Sequence, residues 1–123
     1  MPGMTKRLSR QGVILTASIA AIAPSPLNVV YHATKVLIHD VSIALEEELR
    51  ERNCDVDFMV LCPGLCRTNL NDGLFKKFYI GNVLGIARDP KEVVACALRD
   101  FGYEKMTHGP ISYDITAALY HIL

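Results

Sequence analysis

This chain has no excess charge of either sign: 13 Lys and Arg balance 13 Asp and Glu over 123 residues. A phosphate backbone draws a strongly basic face, so nucleic acid is not an expected partner. A cysteine framework is missing too. Cys54, Cys62, Cys66 and Cys96 follow no zinc or disulfide spacing, and Pro63-Gly64 breaks any helix that would bring Cys62 and Cys66 to one face. No metal is expected, and scattered thiols of this kind fit a cytoplasmic rather than a secreted protein. No Asn-x-Ser/Thr sequon occurs, so nothing argues for a glycosylated surface. Nor is there any Gly-x-Gly-x-x-Gly turn. Gly81 and Gly85 follow no strand-like run, which leaves the chain without a glycine-rich cradle for a pyrophosphate.

A long uninterrupted apolar run is also wanting. Residues 11–34 carry no Asp, Glu, Lys or Arg, but Thr16, Ser18, Ser25 and Asn28 interrupt the stretch and Pro24 and Pro26 break it. A membrane span is therefore not expected. The basic Lys6, Arg7 and Arg10 before it, and Ala21-Ile22-Ala23 after it, give it the outline of a secretory leader. The competing reading is a folded strand, Val13-Ile14-Leu15-Thr16-Ala17, of the continuous apolar kind found in buried parallel sheets.

Downstream, Leu37, Val41, Ala44, Leu45 and Leu49 recur at helical spacing from about Val29 to Arg52, with Glu46, Glu47, Arg50 and Glu51 on the remaining positions. Val36 and Ile43 widen the apolar face, enough to pack on a sheet and on a second subunit. Asn53 is a plausible stop. Val56 to Cys62 is a second buried strand ended by Pro63-Gly64, and strand, helix and strand together make a βαβ crossover. Leu74 to Tyr79 reads as a short amphipathic helix or lid. Asp89-Pro90 opens a helix running through Val93, Val94, Ala97 and Leu98 to a stop near Gly102. Gly109 to Tyr113 is expected as a last strand, followed by an apolar helix.

The chemistry-bearing residues are Ser18, Tyr31 and Lys35. Tyr31 and Lys35, four residues apart, share one helix face. A phenol in isolation ionises near pH ~10, and a neighbouring cation favours the charged form. A tyrosine so placed can exchange a proton with an alcohol or carbonyl oxygen, while Ser18 hydrogen-bonds the same oxygen. His32 and His39 read as surface or packing residues.

Four motifs occur in order: Gly12-Val13-Ile14-Leu15-Thr16-Ala17-Ser18, Pro24-Ser25-Pro26, Tyr31-His32-Ala33-Thr34-Lys35 and Leu61-Cys62-Pro63-Gly64-Leu65-Cys66-Arg67-Thr68. Together they resemble the second half of the short-chain dehydrogenase/reductase family, closely over residues 2–68 and more loosely through the helix at 90–102. The resemblance implies an α/β fold, the C-terminal part of a Rossmann-like, doubly wound parallel sheet in three αβα layers. It implies NAD or NADP as cofactor and a carbonyl or secondary alcohol, of hydrophobic type, as substrate. Ser18 would orient the substrate oxygen and Tyr31 would be the acid/base. Lys35 would hold the nicotinamide ribose. Pro63 and Gly64 would pass beneath the nicotinamide, with the Cys66 backbone and Thr68 near its carboxamide; Thr68 as a simple helix cap is the alternative. A homo-oligomer through helix 31–52 is expected by the same analogy. The family's glycine-rich loop and catalytic asparagine have no counterpart here, so residues 1–123 read as a partial domain, the catalytic half of a longer enzyme. A different class of reading makes the chain a catalytically inactive half-domain acting as an interaction module.

Overall fold

The computed structural model describes residues 11–22, 28–69 and 87–122. The apolar run after Gly12 forms β1 (Gln11–Thr16), which lies parallel to β2 (Val56–Leu61), pairing Gln11 with Val56 and Thr16 with Leu61. A short β3 (Met106–Thr107) joins the other side of β2, Val60 opposite Met106 and Leu61 opposite Thr107. Helix α1 (Val29–Glu51) connects β1 to β2; α2 (Pro90–Asp100) lies between β2 and β3, and α3 (Ile111–Ile122) follows. Among the described residues the sheet is parallel throughout, in the order β1-β2-β3.

The alternation of side chains along β2 divides the core in two. Val60 and Cys62 pack with Ala17 and Ile38 beneath α1. Met59 and Leu61 pack with Val93, Ala97 and Tyr113 beneath α2 and the start of α3. Helices therefore cover both faces, the three-layer α/β arrangement expected. Both crossovers advance the same way across the sheet, yet α1 and α2 lie on opposite faces. Taken by their helices, they have opposite hands, and about 98 % of such crossovers are right-handed. One of the two is of the rare kind.

Local chemistry accounts for the helix ends. Asp89 accepts the Lys91 N–H at 2.8 Å with Pro90 in the first turn, the expected cap. After α1, Asn53 takes the left-handed conformation at φ 49°, as a stop residue should. The expected strand at Gly109–Tyr113 is not formed. Gly109 turns at φ +91° while its N–H donates to Thr107 Oγ1 at 3.1 Å, and Pro110, with its fixed φ, leads into α3. The pairing residues lie three positions earlier. Leu74–Tyr79 falls outside the described residues.

β1 is half-buried rather than fully buried, because no strand lies beyond it among the described residues. Beside it, Leu15, Thr16, Leu37, Ile38 and Val41 line an open apolar cleft of about 410 Å³. Val30, Leu37 and Val41 are exposed along the outer face of α1. No helix among the described residues is long and apolar enough to cross a membrane.

Candidate active site

Ser18 stands just past the end of β1, nine-tenths buried. Its extended backbone caps a 3-10 turn (Ile19–Ala21), and its Oγ accepts the Ala20 N–H at 3.1 Å. The same hydroxyl reaches Pro63 O at 3.5 Å, while the Ile19 N–H donates to Pro63 O at 3.0 Å. The serine turn and the Pro63-Gly64 turn are thereby laced across the ends of neighbouring strands.

Helix α1 starts against the same rim. Lys35 Nζ lies 5.6 Å from the centre of the Tyr31 ring and donates to Thr16 O at 3.3 Å. Since the Ala17 N–H donates to Leu61 O, the Thr16 carbonyl, one residue earlier, points off the open side of β1. The ammonium thus caps an edge carbonyl two residues before Ser18. One turn of helix back, His32 Nδ1 meets Ala20 O in a short contact. Tyr31, one residue before His32 and four before Lys35, keeps over a third of its surface exposed, 37 %. His32 is a tie between helix α1 and the serine turn, a role its sequence position beside Tyr31 did not signal.

Behind Ser18 sits Cys62, fully buried. Burial pushes its thiol from 9.0 up to about 11; the Ser18 N–H and the Lys35 ammonium act in the opposite direction. This cysteine is a neutral packing residue. Cys66, farther along, places Sγ 3.7 Å from Gly64 O and 3.9 Å from the Tyr113 hydroxyl, and burial raises its thiol as well. The Thr68 N–H donates to Cys66 O at 3.0 Å, and Thr68 is exposed; helical backbone begins at Asn69, and the residues directly after it lie outside the described ones.

Sequence reasoning missed Tyr113. Its ring, 1 % exposed, lies so close to Gly64 that a Cβ there would meet three ring carbons at 2.6 to 3.0 Å. In the sequence it read only as the last residue of an expected strand. The structure brings Ser18 and Pro63 into contact, sets Lys35 over Tyr31, and anchors both groups at the end of β1. Gly64 and the Cys66 thiol lie instead against Tyr113.

A profile of the short chain dehydrogenase family matches residues 1–78. The chain belongs to that family. A "CLA biosynthesis dehydrogenase/reductase" of Lactiplantibacillus plantarum is 31 % identical over 70 residues, which are 57 % of this chain and 24 % of that protein. A solved structure, reported as giving structural and biochemical insights into 7beta-hydroxysteroid dehydrogenase stereoselectivity, superposes with a TM-score of 0.76 at 25 % identity. The match spans 89 % of this chain and 42 % of that one. The likeness to both relatives therefore covers less than half of their lengths.

Proposed function

We propose that this short-chain dehydrogenase takes part in hydride transfer between a nicotinamide and a carbonyl or secondary alcohol, with Tyr31 as its acid/base. The observation that carries the reading is the rim just described: Ser18 held to Pro63, and Lys35 standing over Tyr31 at the end of the same strand. The residues fit the nicotinamide end of the cofactor. Pro63 and Gly64 would lie beneath the ring, the Cys66 backbone and Thr68 would face the carboxamide, and Lys35 would take the ribose hydroxyls. None of the four described glycines, Gly12, Gly64, Gly102 and Gly109, forms a pyrophosphate turn between a strand and a helix. When bound, the nicotinamide supplies or accepts the hydride.

In the reductive direction the Tyr31 hydroxyl gives its proton to the substrate oxygen, and Ser18 donates a hydrogen bond to the same atom as negative charge develops. In oxidation Tyr31 takes the alcohol proton. The 3.5 Å reach from Ser18 to Pro63 O is at the limit of a hydrogen bond, so that proton is lightly held and available to substrate. Thr16 O takes one of the three N–H donors of Lys35, which leaves two for ribose hydroxyls. The comparison with a 7beta-hydroxysteroid dehydrogenase favours an apolar secondary alcohol, and a cytoplasmic setting agrees with four unlinked thiols.

Titration of the full chain with NADH and NADPH separately, read by fluorescence and melting shift, tests the proposal. Saturable micromolar binding, with ketone reduction lost in Tyr31→Phe, is the expected result. Binding of neither cofactor would favour the second reading, an interaction module. The open side of β1 and the exposed Leu37 and Val41 support that alternative, since they suit a further strand and helix.

A further inference from the structure

The segment proposed to lie against the nicotinamide, Gly64–Thr68, carries no helix or strand pairing of its own beyond one bridge at Cys66. Something must hold its backbone. Leu65 O accepts the Arg88 N–H at 3.0 Å, and the Arg67 N–H donates to Arg88 O at 3.0 Å, a single parallel bridge. One bridge is a weak clamp for a segment that must keep its shape against a ligand.

We propose that Tyr113, from the first turn of α3, is the positioning residue of the Gly64–Thr68 segment. Its hydroxyl donates to Leu65 O at 2.6 Å and accepts the Arg88 N–H at 3.3 Å, so it touches both halves of the bridge. Its remaining lone pair faces the Cys66 thiol at 3.9 Å. The donor and one acceptor site are in use, and the second acceptor site looks onto the thiol. The ring occupies the space a side chain at position 64 would need. Arg88 is steadied from two sides: Nε donates to Ser112 Oγ at 3.1 Å, and the guanidinium lies 3.6 Å from Glu92. Burial holds the Tyr113 hydroxyl well above the usual phenol range, so it remains a donor at any ordinary pH. A phenylalanine would fill the same volume. The hydroxyl is what the backbone at Leu65 requires.

The inference rests on the proposed function for what the segment holds, but not for how it is held. The test is Tyr113→Phe in the full chain, read by amide hydrogen exchange and by NADH and NADPH affinity. Exchange at Arg67, Thr68 and Arg88 should quicken about tenfold relative to Ala17 and Val60 in the sheet, the scale of one or two lost hydrogen bonds. The cofactor dissociation constant should rise about tenfold with cooperative melting retained. Gly64→Ala, which pushes on the same ring, should give the same local pattern and covers the case in which Tyr113→Phe does not fold. Unchanged exchange at these amides, or acceleration spread evenly over the sheet, overturns the proposal. Local acceleration in a chain whose wild type binds neither cofactor supports the positioning role and overturns the functional reading instead.

Discussion

Gly64→Ala separates two explanations of a glycine that the family resemblance assigns to the cofactor. Among the described glycines only Gly102 and Gly109 have positive φ, so the backbone at 64 accepts alanine. Space does not. The added Cβ would stand 2.6, 2.7 and 3.0 Å from Cδ1, Cε1 and Cγ of Tyr113, where carbons normally keep about 3.5–4.0 Å. The ring would have to retreat roughly 1 Å. It is packed with Met59, Leu61, Val93 and Ala97 and tethered through its hydroxyl, so it has nowhere to go. Overpacking of this kind costs about 1–3 kcal/mol, while relief of glycine's entropy in the unfolded chain returns about 0.4–1 kcal/mol. A net loss of about 1–2 kcal/mol lowers the melting temperature of a chain this size by roughly 3–12 °C. Circular-dichroism melts of wild type, Gly64→Ala, Tyr113→Leu and the double variant measure it. In the Tyr113→Leu background the penalty should vanish or change sign. An equal penalty in both backgrounds would refute the packing argument and return Gly64 to a purely ligand-facing role.

Three other outcomes follow from the site. Ser18→Ala should remove one turn cap, costing about 1 kcal/mol by urea unfolding, but lower ketone-reduction turnover by about 10²–10³-fold; turnover within threefold of wild type would discard Ser18 as a charge-stabilising donor. Lys35→Met should change the urea midpoint little, since its bond to Thr16 O is exposed, while weakening NADH and NADPH binding in a fluorescence titration. The Cys62 thiol is raised in the folded state from 9.0 to about 11, so the fold prefers it protonated. Its contribution is whole below pH 9 and is lost as pH rises through about 11, on the order of 2 kcal/mol. Urea midpoints recorded between pH 8 and 11 should fall, and fall less steeply in Cys62→Ala.

Much of the architecture was legible because the local signals were strong. The run after Gly12, the period of Leu37, Val41, Leu45 and Leu49, and the Asp89-Pro90 cap each name their element without help from the rest of the chain. Asn53 marked its helix end for the same reason. The last strand was misplaced because Met106–Thr107 owes its strand state to pairing with Val60 and Leu61, not to its own composition. The half-burial of β1 was illegible, since a continuous apolar run reads alike at an edge and at a centre. Within the candidate site, spacing singled out Ser18, Tyr31 and Lys35, which the structure gathers at the end of β1. It could not single out His32 and Tyr113, because their roles depend on carbonyls of Ala20 and Leu65 brought near only by folding.

β2 has one more consequence. Its even-numbered residues serve one helix and its odd-numbered residues the other, and both layers meet on these few positions. Deleting a single residue before Phe58 would hand each helix the side chains fitted to its opposite number, Val60 exchanging places with Met59 and Leu61. No repacking on one side alone could mend that. The strand is a shared spine, intolerant of any shift in phase yet open to same-size replacements made on either side independently.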